Sequence, residues 1–260
     1  MIFTATVRIL VLVGILWQSV GPGVWQAEFP FAKEGLLSHV RVVALRLDPA
    51  KVDFRLHSAT GEYGVRSAWT VDSLARTGVA AFNTGHFRGV TPWGWLVLDG
   101  VEMQAPGSGP LAMAFVVDST GRPALVTPDE LGRVRGRVRL AFQSYPALLI
   151  DNEVPWQLQA EGRGVNLEHN DSRLALCIDT SGAVIVAITR FAALGRKGET
   201  FPFGPTIADM VPLMRALGCR RAMLLDGGIS SQLAVRSAKG ELTRWSNWRA
   251  VPLGLEVTPK

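Results

Sequence analysis

Between residues 40 and 257 the chain runs as short apolar stretches, most of them closed by a Gly, Pro, Asp or Ser turn. Stretches of that length bounded by turn residues predict strands rather than helices. Residues 40–47 and 52–57 read as the first two. In the second, Val52, Phe54 and Leu56 alternate with polar positions, and Asp48-Pro49 between the two suggests a hairpin-like pair. Further strands are predicted at 79–83, 111–118, 147–151, 173–179, 183–189, 221–226, 232–237 and 251–257, with Ser181-Gly182 turning 173–179 into 183–189 as a second hairpin. Two segments carry helix signals. Residues 67–77 open on Ser67 as N-cap and stop at Gly78. Residues 206–217 open on Thr206, with Asp209 three residues on as a capping-box partner, and stop at Gly218; Pro212 inside predicts a kink.

Many strands, two helices and no regular strand–helix–strand alternation predict an α+β fold: a single domain with a mainly antiparallel or mixed sheet and a few helices. No internal repeat or low-complexity linker divides it. The N-terminus reads differently. Arg8 precedes nine apolar residues, 9–17, and Gln18, Ser19, Gly21 and Pro22 then break the run. A positive charge before such a run is the pattern of an export signal. Residues 1–27 are therefore expected to be a signal peptide or signal anchor, residues 28–260 the folded domain, and the protein exported: periplasmic, secreted, or attached to a membrane through residues 1–27 with its domain outside the cytoplasm.

Composition excludes several classes. The chain has 260 residues, 48% of them hydrophobic, enough for a sizeable core and too many for disorder. No other run approaches the roughly 20 apolar residues of a membrane span. A net charge of +5 suits an anionic partner without demanding nucleic acid. The two cysteines, Cys177 and Cys219, form no CxxC pair; a disulfide and two separate buried thiols fit equally.

No phosphate-binding loop, dinucleotide fingerprint, zinc-protease helix or serine-nucleophile elbow is present. The strongest chemical feature is Leu224-Leu225-Asp226-Gly227-Gly228-Ile229-Ser230-Ser231. A strand delivers a carboxylate, two glycines free to adopt unusual backbone angles follow, and two hydroxyls add donors, a pattern for an anion cradle beside a base. An ordinary Asp-Gly turn explains it as well. A second polar strand end, Asn83-Thr84-Gly85-His86-Phe87, offers groups for binding and proton transfer, although a lone His more often satisfies a turn. Gln143-Ser144-Tyr145-Pro146 precedes strand 147–151, and Arg173 opens strand 173–179, placed to snorkel, pair or hold a phosphate. Arg133, Arg135, Arg137 and Arg139 would share one face of a strand, more simply a solvated face than a polyanion strip.

Together and in this order, these segments resemble the phosphodiester glycosidase family, which includes the uncovering enzyme and a bacterial branch labelled for exopolysaccharide biosynthesis. Asn83-Thr-Gly85-His-Phe87 is similar to its Asn-x-Gly-x-Phe segment. Gln143-Ser144-Tyr145-Pro146 is similar to its Gln-Ser-Gly-Pro segment, with Tyr145 for glycine. Ser172-Arg173-Leu-Ala is similar to its Arg-led strand, and Leu225-Asp226-Gly227-Gly228-Ile-Ser230-Ser231 to its Asp-Gly turn. The resemblance implies an exported hydrolase that cleaves a sugar from a sugar-1-phosphodiester in glycan or exopolysaccharide metabolism, acting on a phosphorylated glycan and not on nucleic acid. It implies Asp226, Arg173 and His86 as catalytic residues, and Asn83, Gly85, Gln143, Ser144, Gly227, Gly228, Ser230 and Ser231 as substrate-binding residues. No cofactor is implied and no metal cluster is evident, although Asp226 could share a divalent cation with a substrate phosphate. The alternative is a non-catalytic envelope protein that binds anionic glycan through the cradle and the arginines.

Overall fold

A computed structural model describes residues 14–59, 71–159, 165–193, 195, 200–246 and 249–260. In chain order the first half comprises β1 (Gln18–Gly21), β2 (Val24–Pro30), β3 (Val40–Leu47), β4 (Val52–Ser58), β5 (Ala80–Asn83), β6 (Phe87–Arg88), β7 (Thr91–Pro92), β8 (Leu96–Leu98), β9 (Val101–Gln104), β10 (Met113–Asp118) and β11 (Pro123–Val126). The second half comprises α1 (Leu131–Val134), β12 (Val138–Ser144), β13 (Ala147–Leu149), β14 (Leu174–Asp179), β15 (Val184–Phe191), α2 (Ile207–Ala216), β16 (Cys219–Leu224), β17 (Gln232–Arg236), β18 (Leu242–Ser246) and β19 (Leu253–Pro259). Three sheets result, ordered β1-β2-β3-β15-β14-β16-β13, β11-β10-β12-β8-β9 and β18-β17-β5-β19-β4, with β6-β7 as a small ribbon. Among the described residues every strand pairing is antiparallel, which selects one of the two sheet types expected; the fold is a single domain of mostly antiparallel sheet with few helices.

The seven-stranded sheet is buried on both faces, which explains the unbroken apolar runs of its central strands. Alternate residues on a strand point to opposite faces. Val43, Leu45 and Leu47 of β3 enter a central core shared with Phe54, Phe82, Phe115 and Phe142 of the other two sheets. Val40, Val42 and Ala44 of β3 face the other way and pack with Ile207, Met210, Val211 and Met214 of α2. That helix starts as expected: the Asp209 N–H donates to Thr206 Oγ1 (3.2 Å) and the Thr206 N–H to Asp209 Oδ2 (3.1 Å). It ends before Gly218 at φ 81° and continues through Pro212. Cys177 of β14 and Cys219 of β16 are joined by a disulfide between neighbouring strands.

Four expectations are corrected. First, β3 and β4 are not a hairpin. β3 lies between β2 and β15, β4 pairs with β19, and the bend after Asp48 carries the chain from one layer to another. Second, residues 18–27 belong to the fold: β1 and β2 extend the seven-stranded sheet, with Val24 and Ala27 buried, so the domain begins before residue 28. Residues 1–13 of the apolar N-terminal segment lie outside the described residues. Third, the helix at 67–77 is a 3-10 segment, Val71–Arg76, and its expected cap Ser67 lies outside the described residues.

Fourth, the four arginines do not share one face of a strand, so the less simple of the two readings, a polyanion strip, is not formed. Arg133 is on α1, Gly136 turns the chain at φ 78°, and Arg139 is on β12. Arg135 is spent on Glu102 (2.5 Å) and Arg139 on Asp53 (2.6 Å).

Candidate functional site

The three sheets meet where β5, β12 and β16 end and β14 begins. Asp226, two residues beyond β16, donates its N–H to Thr84 O just beyond β5 (2.9 Å). Ser144, the last residue of β12, donates its hydroxyl to Leu224 O (2.7 Å). Gly85 lies so close to β12 that a Cβ there would run into the Gln143 carbonyl oxygen. Only glycine permits this approach, and it brings His86 beside the strand that carries Ser144. The polar strand ends singled out from sequence, at 83–87, 143–145 and 226–231, therefore converge on one place.

Several of those residues act as fasteners. Buried Asn83 spans the joint: its Nδ2 donates to Asp226 O (2.8 Å) and its Oδ1 accepts from the Gln232 N–H (2.7 Å). Gln143 Oε1 accepts from the N–H groups of Trp95 (3.0 Å) and Gly107 (2.8 Å), which ties together the segments that enter β8 and leave β9. Ser231 and Ser172 hydroxyls bond each other (2.6 Å). The Asp-Gly-Gly turn is folded on itself. The N–H groups of Gly228, Ser230 and Ser231 donate to the carbonyls of Ser172, Gly227 and Gly228. Those three donors are spent on backbone carbonyls and are not turned toward an anion. Arg173 is buried, donating from Nε to Pro205 O (2.9 Å) and from Nη2 to His169 O, and it sits beside Asp171.

Asp226 and His86 remain open to chemistry, keeping 19% and 28% of their side-chain exposure, with His86 Nε2 3.9 Å from Asp226 Oδ1. Burial pushes the Asp226 carboxyl up to about 6, against the Ser230 hydrogen bond and the charge of Arg249, which lower it; the charge of Asp171 adds to the rise. Burial pushes His86 down to about 4. The imidazole is thus neutral wherever Asp226 is ionised, and their 3.9 Å approach is not an ion pair. Ser144 gives its proton to Leu224 O, so toward His86 Nδ1 (3.3 Å) its oxygen accepts. This puts the imidazole proton on Nδ1 and leaves Nε2 as a lone pair facing the carboxylate.

The rim holds Tyr145, which the motif comparison singles out, together with Trp93, Arg249 and Asp171, which sequence reasoning does not place in the site. Tyr145 stacks on His86, ring centroids 4.4 Å apart, and Trp93 meets Tyr145 edge-on at 5.1 Å. Arg249, exposed, lies 4.8 Å over the Phe87 ring and within electrostatic reach of Asp226. Asp171, held by the Ser172 N–H (2.8 Å) and 3.6 Å from His169, is also pushed up by burial. Asp171 stood two residues before Arg173, within reach of a wider motif window. Arg249 had no local signal, since only tertiary folding brings it to the carboxylate. Among the described residues no group of three or more His, Cys, Asp or Glu is arranged to hold a metal ion.

A model of the phosphodiester glycosidase family matches residues 76–258. The chain belongs to the phosphodiester glycosidase family. That span takes in the site from His86 to Arg249. Among solved structures, the catalytic domain of zebrafish N-acetylglucosamine-1-phosphodiester α-N-acetylglucosaminidase, auto-inhibited by its pro-peptide, superposes with a TM-score of 0.71 at 17% identity over 94% of this chain and 86% of that one. A hypothetical protein from Synechocystis gives a TM-score of 0.63 at 13% identity, covering 92% of this chain and 62% of that one. A putative exported protein from Burkholderia pseudomallei gives 0.55 at 14%, covering 85% and 74%. At these identities the likeness is one of fold. No curated protein sequence matches the chain.

Proposed function

We propose that this member of the family hydrolyses a sugar-1-phosphodiester, with Asp226 as general base and neutral His86 as its partner. The observation that carries the proposal is the pair of facing acceptors, Asp226 Oδ1 and His86 Nε2, 3.9 Å apart. A water oxygen about 2.8 Å from each sees them at an angle of roughly 90°, close to the angle between its two O–H bonds. A water held this way is oriented for attack. Its oxygen bonds to the anomeric carbon and one proton passes to Asp226. The sugar–oxygen bond breaks, and its electron pair leaves with the phosphate monoester. A phosphate monoester is a stable anion, so the departure needs no strong general acid, unlike ordinary glycoside cleavage with its two carboxylates.

Arg249 is the cation that faces Asp226 from the rim, and we assign it to the substrate phosphate. Arg173 holds the 169 and 205 carbonyls and so positions Asp171 at the edge of the site. The buried Cys177–Cys219 disulfide is the kind of bond that persists in oxidising compartments, which supports export; a phosphorylated glycan of the envelope or exopolysaccharide is the natural substrate we propose. The envelope-binding alternative, which rests on the cradle and the arginines together, loses the second of these.

The test is turnover of a panel of sugar-1-phosphodiesters, N-acetylglucosamine-1-phosphodiester among them, by the full chain and by Asp226→Asn. Release of free sugar that the variant abolishes is the expected result. Equal turnover by the variant would remove Asp226 from the mechanism, and no release across the panel would sink the hydrolase proposal.

A further inference from the structure

Tyr145 occupies the place of a glycine in the family segment it resembles, and it is fixed from both sides. The preceding Ser144 hydroxyl is bonded to Leu224 O, and the following Pro146 carbonyl accepts the Leu224 N–H (3.0 Å). Those bonds fix the backbone on either side of Tyr145, and its phenol ring stacks on His86 at an interplanar angle of 26°. Trp93 is fixed as well. Its N–H donates to His86 O (2.7 Å), and a Cβ on Gly107 would come 3.0 Å from its indole. Yet Tyr145 remains 38% exposed. A rigid aromatic surface left partly in water beside a candidate base marks a ligand surface more than a packing element.

The other side of His86 differs. Neighbouring residues of an extended chain point to opposite faces. Phe87, next along, packs with Val71, Ala75 and Val251 on the outer face of the third sheet and carries Arg249 over its ring. His86, which faces Asp226, thus carries an aromatic wall, while Arg249 lies within electrostatic reach of the carboxylate.

We infer that Trp93 and Tyr145 form the subsite for the sugar ring, which lays its C–H face on the Tyr145 ring, while the phosphate extends toward Arg249 and the anomeric carbon lies at Asp226. The inference deepens the hydrolase proposal by giving the substrate an orientation. It also gives this chain a preference for pyranoses with an unobstructed apolar face, set by a side chain that the family motif lacks.

The test separates sugar recognition from phosphate recognition. N-acetylglucosamine 1-phosphate and inorganic phosphate are titrated calorimetrically into full-length Asp226→Asn, alone and combined with Tyr145→Ala, Tyr145→Phe or Arg249→Gln. Tyr145→Ala is expected to weaken the sugar phosphate roughly tenfold, through loss of the ring's buried area, and to leave inorganic phosphate unchanged. Tyr145→Phe should retain both affinities, and Arg249→Gln should weaken both. An unchanged sugar-phosphate affinity in Tyr145→Ala, an equal loss for both ligands, or no binding of either ligand before these substitutions would overturn the inference. Wild-type turnover of sugar-1-phosphodiesters tests the hydrolase proposal independently. Turnover with no Tyr145 effect removes the platform alone, and a Tyr145 effect without turnover leaves a sugar-phosphate site that is not catalytic.

Discussion

Replacing Asp226 with asparagine should stabilise the protein above pH 6 while abolishing its activity. The carboxyl is pushed from the ordinary 3.8 up to about 6, chiefly by burial, with His86 Nε2 and the Ser230 hydroxyl against it and Arg249 and Asp171 in electrostatic reach. The folded state therefore holds this proton more tightly than the unfolded chain does. Between pH 4 and 6 the folded protein binds more protons, so the group's contribution to stability falls as pH rises through that window. At about 1.4 kcal/mol per pH unit the ionised carboxylate costs the fold about 3 kcal/mol at pH 8, and almost nothing below pH 4. His86 acts in the opposite sense. Its proton affinity is lowered from 6.5 to about 4, so its contribution is fully present above pH 6.5 and is lost as pH falls through 4. In the wild type the two trends largely offset each other.

Asparagine keeps the shape and can still bond Ser230 but carries no charge, so Asp226→Asn removes one trend and exposes the other. In thermal melts from pH 4 to 8 the variant should match wild type at the acid end. At pH 8 it should exceed wild type by about 3 kcal/mol, or roughly 6–12 °C in Tm for a domain of this size. In parallel, wild-type kcat/KM should rise with pH through about 6 as the base ionises. A variant less stable than wild type at pH 8, or an offset that is the same at pH 4 and pH 8, would refute the assignment of a buried, strained carboxylate.

Three other substitutions probe the joint around the site. Asn83→Ala leaves the Gln232 N–H without its partner in a buried position, and it should lower stability by about 2–4 kcal/mol in denaturant titration. A loss below about 0.5 kcal/mol would show that Asn83 does not fasten β5 to the Asp226 turn. The Thr84 hydroxyl is buried with no hydrogen-bond partner among the described residues, so Thr84→Val, close in shape, should raise stability by about 1 kcal/mol; a drop of similar size would mean the hydroxyl is satisfied in solution. Cys177 and Cys219 close a loop of 42 residues, and the double alanine variant should lose about 4 kcal/mol in chemical denaturation by loop entropy. Equal stability with and without the bridge would exclude that contribution.

What was legible in the sequence was what is local. The strand at 40–47 and the helix capped by Thr206 and Asp209 could be read because apolar spacing and cap chemistry act within a few residues. Which strands pair could not, because β3 and β4 are adjacent in sequence yet lie in different sheets, and that choice is made by side chains from β15, β19 and α2. The same division runs through the site. Asp226 and His86 stood out as polar residues ending apolar strands, and they do face each other. Asn83, Gln143 and Ser231 carried the same signal, yet their bonds run inward to the Gln232, Trp95 and Gly107 N–H groups and to Ser172. A polar strand end beside a catalytic group has two uses, joining sheets and meeting substrate, and sequence shows only that one of them is present.

Arg249 is the converse case. It reaches Asp226 only because the chain leading into β19 passes under Phe87, so no spacing rule could have found it. The two kinds of residue separate by experiment. Loss of a fastener should lower stability in parallel with activity, whereas Asp226→Asn should raise stability and remove activity. Opposite signs in the two measurements are the mark of a group the fold holds at its own cost, and among the polar residues gathered here Asp226, with its carboxylate burial and its spent turn donors, is the one for which the structure predicts them.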